Sequence, residues 1–152
     1  MKTLVGIAAD HGGFELKNYI LNYLIESGFK VRDFGAFELV TDDDYPEMVI
    51  PLARAVGLKQ LARGIAICGS GIGACIAANK IKNVRAGLAN EIFSVKQGVH
   101  DDDMNVLCLG ARLISPESAK ELVRTFLEAR FSSLPRHSRR LKEIAQYEKA
   151  EV

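Results

Sequence analysis

Short apolar runs alternate with longer, more polar segments along this chain. Three of the runs, Leu4–Ala9 (LVGIAA), residues 64–69 (GIAICG) and residues 105–111 (NVLCLGA), are apolar at nearly every position. This pattern is typical of strands that are buried on both faces of a sheet. Two further runs, FKVRDFG at residues 29–35 and VRAGLA at residues 84–89, complete a set of five predicted strands.

The segments between these strands have the periodicity of helices. In residues 15–28 and 116–131, apolar side chains recur at spacings of three and four, which gives each helix one apolar face. Gly28 suits the C-terminal end of the first helix, while Ser115 and Pro116 suit the start of the second. Further helices are predicted at residues 46–59, 73–81 and 90–99.

This alternation predicts an α/β fold of the Rossmann-like, three-layer type. A five-stranded parallel sheet would carry helices on both faces, and residues 1–152 would form a single domain. The tail, residues 134–152, is first basic and then weakly amphipathic. We expect this tail to form a helix that packs on a partner subunit.

Composition narrows the class of protein. The chain has 152 residues, of which 48% are hydrophobic and 26% charged, and its net charge is +1. These values indicate a folded domain without the strong field that would favour nucleic acid or membrane as a partner. The first ten residues lack the pattern of a signal peptide. Three cysteines without a CxxC motif favour reduced thiols in the cytoplasm over a zinc site.

Reactive side chains crowd at the predicted strand ends, where ligands bind in open parallel sheets. Asp10 and His11 follow the first strand, Cys68 ends the third, and Arg112 follows the fifth. The acidic run at residues 42–44 follows the second strand. It has no partner at metal-ligand spacing nearby, so we expect it to be a solvated loop.

The loop after Cys68, with the sequence GSGIG, leads into a predicted helix. Its backbone amides can bind an anion with the help of the helix dipole, which also favours the thiolate form of Cys68. A thiolate beside such a loop is suited to act as a general base next to an oxyanion hole. Cys75 and Cys108, within a helix and a strand, fit ordinary packing.

Other interpretations of these residues remain open. The glycine loop, read through Ala74 with Glu91 further on, fits a relaxed dinucleotide-binding pattern, although it follows the third strand and not the first. A cysteine phosphatase is excluded, because Ala74 stands where its arginine would be. Arg136 and Arg140 fall on one helical face suited to phosphate, but such basic runs are also commonly just solvated.

Taken together, the motifs resemble the ribose-5-phosphate isomerase B family, which includes galactose-6-phosphate and allose-6-phosphate isomerases. The matching segments run through nearly the whole chain in order: AADHGGFELK, DYPEM, AICGSGIGACIAANKIKNVRAGL, MNVLCLGAR and RHSRR. The resemblance implies aldose–ketose isomerisation of a phosphorylated sugar, most simply ribose 5-phosphate to ribulose 5-phosphate in the pentose phosphate pathway. It also implies a cytoplasmic homodimer, or a dimer of dimers, without a metal or cofactor.

The resemblance also assigns roles to residues. Cys68 matches the base that moves a proton between C1 and C2, and Ser70 matches a hydroxyl that steers protons between O1 and O2. The anion hole matches Gly69, Gly71, Ile72 and Gly73. The substrate-binding positions are Asp10, His11, Tyr45, Asp102, Arg112, Arg136 and Arg140, some of them supplied by a second subunit.

One segment departs from the family pattern. The histidine that helps to open the sugar ring is expected at position 101, but this chain has Asp101 there and His100 one residue earlier. Either His100 serves, or Asp101 takes the role, or ring opening is not needed. The last case fits an aldotetrose 4-phosphate, whose esterified O4 cannot close a five-membered ring. A non-catalytic sugar-phosphate binding protein is a further alternative.

Overall fold

Strands and helices alternate in a computed structural model that describes residues 3–150. The strands are β1 (Leu4–Ala9), β2 (Lys30–Asp33), β3 (Arg63–Cys68), β4 (Ala86–Leu88) and β5 (Val106–Gly110). The helices are α1 (Phe14–Glu26), α2 (Tyr45–Gly57), α3 (Ile72–Ala78), α4 (Ile92–Asp102), α5 (Pro116–Glu128) and α6 (Pro135–Ala150). No helix within residues 3–150 is long and apolar enough to cross a membrane.

The five strands form one parallel sheet in the order β2-β1-β3-β5-β4. In the centre of the sheet, Ile7 pairs with Ile65 and Ile65 pairs with Leu107. All three side chains are fully buried. The strand order reverses between β1 and β3, and the carboxyl ends beside such a reversal are where open α/β sheets bind ligands.

Helices cover both faces of the sheet, which confirms the predicted three-layer fold. On one face, α1, α4 and α5 contribute Ile20, Val99 and Phe126 to a continuous apolar core. On the other face, α2 and α3 pack Leu52 and Ala78 against the sheet. The apolar runs of β1, β3 and β5 are buried because both of their faces are covered.

A buried ion pair joins α1 to the end of β2. The Lys17 side chain is 1% exposed, and its ammonium lies 2.8 Å from the Asp33 carboxylate. The same ammonium donates to the Ala36 carbonyl oxygen at 2.6 Å. This lysine interrupts the apolar face of α1 without leaving an unpaired buried charge.

The boundaries differ slightly from those predicted. β2 is shorter than residues 29–35, and α2 begins at Tyr45 and ends at Gly57 rather than running from Pro46 to Lys59. The tail forms the predicted helix, α6, which contacts its own chain at both ends. His137 lies near Asp101 of α4, and the Glu148 carboxylate accepts from the Asn83 amide at 3.2 Å.

Candidate active site

Asp10 and His11 lie where β1 gives way to α1. Asp10 is buried, and its carboxylate accepts a hydrogen bond from the Gly13 amide at 3.2 Å. It therefore caps a single 3-10 turn, His11–Gly13, that leads directly into α1. This turn holds the His11 side chain at the carboxyl edge of the sheet.

Asp43 fixes the imidazole of His11. One oxygen of its carboxylate lies 2.9 Å from the His11 amide nitrogen and 2.7 Å from His11 Nδ1. This hydrogen bond, more than the nearby charge of Asp10, raises the pKa of His11 above its ordinary value. The expectation of a solvated loop is wrong for Asp43, whose side chain is only 11% exposed. The contact joins residues 32 positions apart, which local spacing does not reveal.

Cys68 ends β3 as a buried thiol below the glycine loop. Its Sγ accepts a hydrogen bond from the Gly71 amide at 3.1 Å. Gly71 has a φ of +79°, and a Cβ there would lie 2.8 Å from the Leu109 carbonyl carbon, so this loop conformation requires glycine. Ser70 is exposed at the rim, where its hydroxyl accepts from the Ile72 amide at 3.3 Å.

The two loops that follow β1 and β3 touch each other. A Cβ on Gly12 would lie 3.1 Å from the Gly69 nitrogen, so the backbones are in close approach. Arg112, after β5, lies over the same loop, since a Cβ on Gly69 would be 3.1 Å from its Cζ. A cavity of about 360 Å³ opens here and is lined in part by His11 and Arg112.

Tyr45 approaches the loop from the start of α2. A Cβ on Gly73 would lie 2.6 Å from Tyr45 Cζ and 3.0 Å from its hydroxyl oxygen. The structure therefore brings many of the predicted site residues to one edge of the sheet, and we call this group the carboxyl-edge cluster. It consists of Asp10, His11, Tyr45, Cys68, Gly69, Ser70, Gly71, Ile72, Gly73 and Arg112, together with Asp43.

The remaining predicted residues lie at the opposite edge. His100, Asp101 and Asp102 close α4, which runs back from the end of β4 to the start of β5. Within one chain, they are separated from Cys68 by the length of β5, roughly 13 Å at the usual rise per residue. Arg136 and Arg140 lie in the first turns of α6, beside the end of α4. These five residues form the amino-edge cluster, to which His137 also belongs.

A polar network holds the amino-edge cluster together. The Asp101 carboxylate lies 2.6 Å from His100 Nδ1 and 3.6 Å from His137 Nε2. Its hydrogen bond with His100 is the main cause that lowers the pKa of Asp101 below its ordinary value. His137 is 2% exposed, and its Nδ1 lies 2.6 Å from the Ser132 hydroxyl oxygen. In the sequence, His137 stands within the basic run RHSRR, where nothing indicates this network.

The other two cysteines lie away from the loop amides. Cys108 is fully buried in β5, in agreement with the packing expected from sequence. Cys75 is half-buried on α3, and its Sγ lies 3.5 Å from the Ala86 carbonyl oxygen. A hydrogen bond with the Cys108 thiol is the main cause that lowers the pKa of Cys75 to about 6.

The known proteins that this chain resembles are isomerases of sugars or sugar phosphates. Residues 5–144 match the model of the family described as ribose/galactose isomerase. A Mycoplasma pneumoniae protein named probable ribose-5-phosphate isomerase B is 40% identical over 149 residues, which cover 98% of this chain and 97% of the relative. A D-erythrulose-4-phosphate isomerase of Pectobacterium atrosepticum is 37% identical over 127 residues, 84% of each chain.

A solved structure has nearly the same fold. Ribose-5-phosphate isomerase B from Mycoplasma genitalium, with bound ribulose 5-phosphate, superposes with a TM-score of 0.94 and 37% sequence identity. The match covers 100% of this chain and 99% of that one. The similarity therefore extends over both clusters and over the tail helix.

Proposed function

Because this chain belongs to the ribose/galactose isomerase family, we propose that it interconverts an aldose phosphate and its ketose, with ribose 5-phosphate and ribulose 5-phosphate as the pair. The main support for this proposal is the buried thiol of Cys68, which accepts a hydrogen bond from a loop amide, with His11 and Arg112 beside the same loop. The Mycoplasma genitalium relative, which holds ribulose 5-phosphate, supports the choice of substrate.

Cys68 is the base in this proposal. As thiolate, it takes the proton from C2 of the open-chain aldose, and the electron pair forms the C1–C2 double bond of an enediolate. The same thiol returns the proton to C1, which gives the ketose. The amides of residues 69–73 bind the negatively charged oxygen between these steps. The Ser70 hydroxyl, exposed at the rim, moves a proton between O1 and O2.

The phosphate is bound by cationic side chains in this scheme. His11 and Arg112 lie at the carboxyl edge, while Arg136 and Arg140 lie at the amino edge of the same chain. Because β5 separates the two edges, we propose that Arg136 and Arg140 reach the site from a second copy of the chain. Asp10 and Tyr45 contact the sugar, as does Asp102 from the second copy.

A symmetric homodimer, or a dimer of dimers, follows from this division of the site. The exposed side chains of Ile72 and Ile76 form an apolar face on α3, beside the loop, that suits such an interface. In this proposal each chain is one domain, residues 1–152, and the tail at 134–152 packs on the partner. The enzyme would work in the cytoplasm, in carbohydrate metabolism, without a metal or organic cofactor.

Three possibilities for ring opening were given above, and hydrogen bonding favours the one in which His100 opens the ring. Its Nδ1 lies 2.6 Å from the Asp101 carboxylate, which leaves Nε2 to exchange a proton with the sugar ring. The imidazole is 50% exposed, and a dimer partner can present substrate to it. We propose that His100 opens the ring and that Asp101 orients it, in spite of the one-residue shift.

The proposal is tested by proton exchange in D2O followed by NMR. Purified protein is incubated in parallel with ribose 5-phosphate, erythrose 4-phosphate, allose 6-phosphate and galactose 6-phosphate. We expect ribulose 5-phosphate with deuterium at C1. Turnover of a different sugar alone would overturn the choice of substrate, and binding without turnover of any sugar would favour a binding protein.

A tetrose 4-phosphate is the second candidate, and the Pectobacterium D-erythrulose-4-phosphate isomerase is the observation that favours it. Such a substrate cannot close a five-membered ring, so it does not need a ring-opening acid. If it is the true substrate, Asp101→His should leave turnover of erythrose 4-phosphate unchanged. A large gain in turnover with this variant would count against the tetrose.

A further inference from the structure

Two imidazoles and one carboxylate converge at the end of α4. Ligand atoms of His100, Asp101 and His137 all lie within 4.8 Å of one another. Two histidines and an acidic residue are the ligand set of many zinc sites that keep one position open. We infer that these three side chains, the His–Asp–His triad, bind a divalent transition-metal ion of the zinc class, and that this binding inhibits the enzyme.

His137 is already oriented as a metal ligand. Its ring is almost completely buried, and the contact of Nδ1 with the Ser132 hydroxyl turns Nε2 toward Asp101. The Ser132 amide also donates to the His100 carbonyl oxygen at 2.9 Å, which ties the segment before α6 to the end of α4. Hydrogen bonds of this kind fix the ring and tautomer of histidine ligands in metal sites.

The other two side chains of the triad, His100 and Asp101, are more exposed than His137. His100 is half exposed, so its ring can adjust to an ion that arrives from solvent. The Asp101 carboxylate lies between the two rings and brings the negative charge that a divalent cation requires. Three protein ligands leave a fourth position for water, which is the arrangement of an exchangeable site.

Arg136 lowers the affinity of the triad for a cation. Its Nε lies 3.1 Å from His137 Nε2, the nitrogen that the metal would take. Arg136 is exposed, so its guanidinium can swing away, but its positive charge lowers the affinity. Metal and guanidinium therefore compete for one nitrogen, and a variant without the guanidinium should bind the metal more tightly.

The inhibitory part of the inference rests on the proposed function. A bound ion occupies Nδ1 of His100 and the carboxylate of Asp101, so His100 loses the partner that orients it for ring opening. The ion also displaces Arg136, which is proposed to bind the substrate phosphate. Both effects lower turnover of ribose 5-phosphate.

The third histidine provides a matched control. His11 lies with Asp10 and Asp43 in a second cluster of potential ligands at the carboxyl edge. That cluster has one imidazole and two carboxylates, so it lacks the second nitrogen that zinc prefers. Substitution of His11 therefore removes an imidazole from the chain without changing the triad.

The experiment is calorimetric titration of the full chain with ZnCl2, with Co2+ absorption in the visible range as an independent report of imidazole ligation. We expect one ion per chain in the wild type and in His11→Ala and Cys68→Ala, and no specific binding in His100→Ala or His137→Ala. Circular dichroism checks the fold of His137→Ala, because His137 is buried, while His100 is exposed. Arg136→Met should bind zinc about tenfold more tightly, and Ser132→Ala about tenfold more weakly.

Absence of zinc binding in the wild type, or undiminished binding in folded His100→Ala and His137→Ala, would overturn the site. Because these measurements do not use turnover, they remain decisive if ribose 5-phosphate is not the substrate. Inhibition is then measured separately, as a loss of turnover in proportion to zinc occupancy that EDTA reverses. Full turnover at full occupancy would overturn the inhibitory role.

Discussion

The Cys68 thiol is buried, and its Sγ accepts a hydrogen bond from the Gly71 amide of the glycine loop. We predict that Cys68→Ala lowers kcat for ribose 5-phosphate by about 10²- to 10⁴-fold, because proton transfer loses its base. KM should change by only a few-fold, since the phosphate contacts remain. Steady-state kinetics of the purified variant measures both constants.

Cys75→Ala is the matched control for this substitution. It also removes a thiol from the same face of the sheet, but its Sγ contacts the Ala86 carbonyl oxygen and not the loop amides. Its kcat should stay within a few-fold of the wild-type value. A near-normal kcat in Cys68→Ala would remove the thiol from the mechanism.

The hydrogen bond with the Asp43 carboxylate raises the pKa of His11. In Asp43→Asn the carboxylate that raises the pKa of His11 is lost, so His11 should deprotonate at a lower pH than in the wild type. In the proposed mechanism, protonated His11 binds the phosphate, and therefore the rise of KM with increasing pH should begin at lower pH in the variant. The pH profile of KM from pH 5 to 9 is the measurement.

An Asp42→Asn variant, with the same charge change one residue earlier at an exposed position, is the control. Its KM profile should coincide with that of the wild type. If Asp43→Asn also leaves the profile unmoved, then either His11 does not bind the phosphate or Asp43 does not set its charge.

At the residue scale, the local sequence predicts where the strands end. Apolar runs stop at Ala9 and Cys68, so the placement of His11 and of the glycine loop at one edge follows from the parallel sheet. The contacts of Asp43 with His11 and of His137 with Asp101 could not be predicted in this way. Each joins segments more than 30 residues apart, and only the packed fold brings those segments together.

At the scale of elements, the Lys17–Asp33 ion pair links α1 to β2, and substitution of either residue removes it. We predict that Asp33→Ala lowers the free energy of unfolding by about 3 kcal/mol, because a buried ammonium loses its counter-charge. Lys17→Met should cost less than about 1 kcal/mol, since an apolar side chain of similar length fills the same space.

Urea unfolding monitored by circular dichroism measures both changes. An equal loss of stability in the two variants would show that packing of the Lys17 stem, and not the unpaired charge, dominates at this position. Turnover of each folded variant, measured in parallel, shows whether the carboxyl-edge cluster is intact.

The elements themselves were largely predictable. Uninterrupted apolar runs identify β1, β3 and β5, because strands with both faces covered have no polar side. Helix ends were less certain where no capping signal is present, as at the C-terminal end of α2. The position of α6 was not predictable, since its apolar side is weak and a single buried residue, His137, holds its first turn to α4.

At the scale of the whole molecule, the two clusters of one chain lie at opposite edges of the sheet, and a mixing experiment tests whether two chains share the site. Cys68→Ala damages the carboxyl-edge cluster, and Arg140→Glu damages the amino-edge cluster. Each homodimer should be nearly inactive. Co-refolded mixtures should recover about a quarter of wild-type activity, because half of the dimers are mixed and each mixed dimer has one intact site.

A mixture of Cys68→Ala with Ser70→Ala is the control. Both substitutions fall in the carboxyl-edge cluster, so no combination of these chains contains an intact site, and no activity should return. Recovery with this pair, or its absence with Cys68→Ala and Arg140→Glu, would contradict a site shared between chains.

The length of β5 thus has a consequence for how the activity depends on the amount of protein. In the structure of a single chain, both cores are filled, and the arginines of α6 that are proposed to bind phosphate lie far from its own thiol. If two chains share the site as proposed, catalysis requires a dimer, so dilution below the dissociation constant of the pair should abolish turnover while the fold persists. In that case, the concentration of the protein, and not only its folding, determines whether the chain is active.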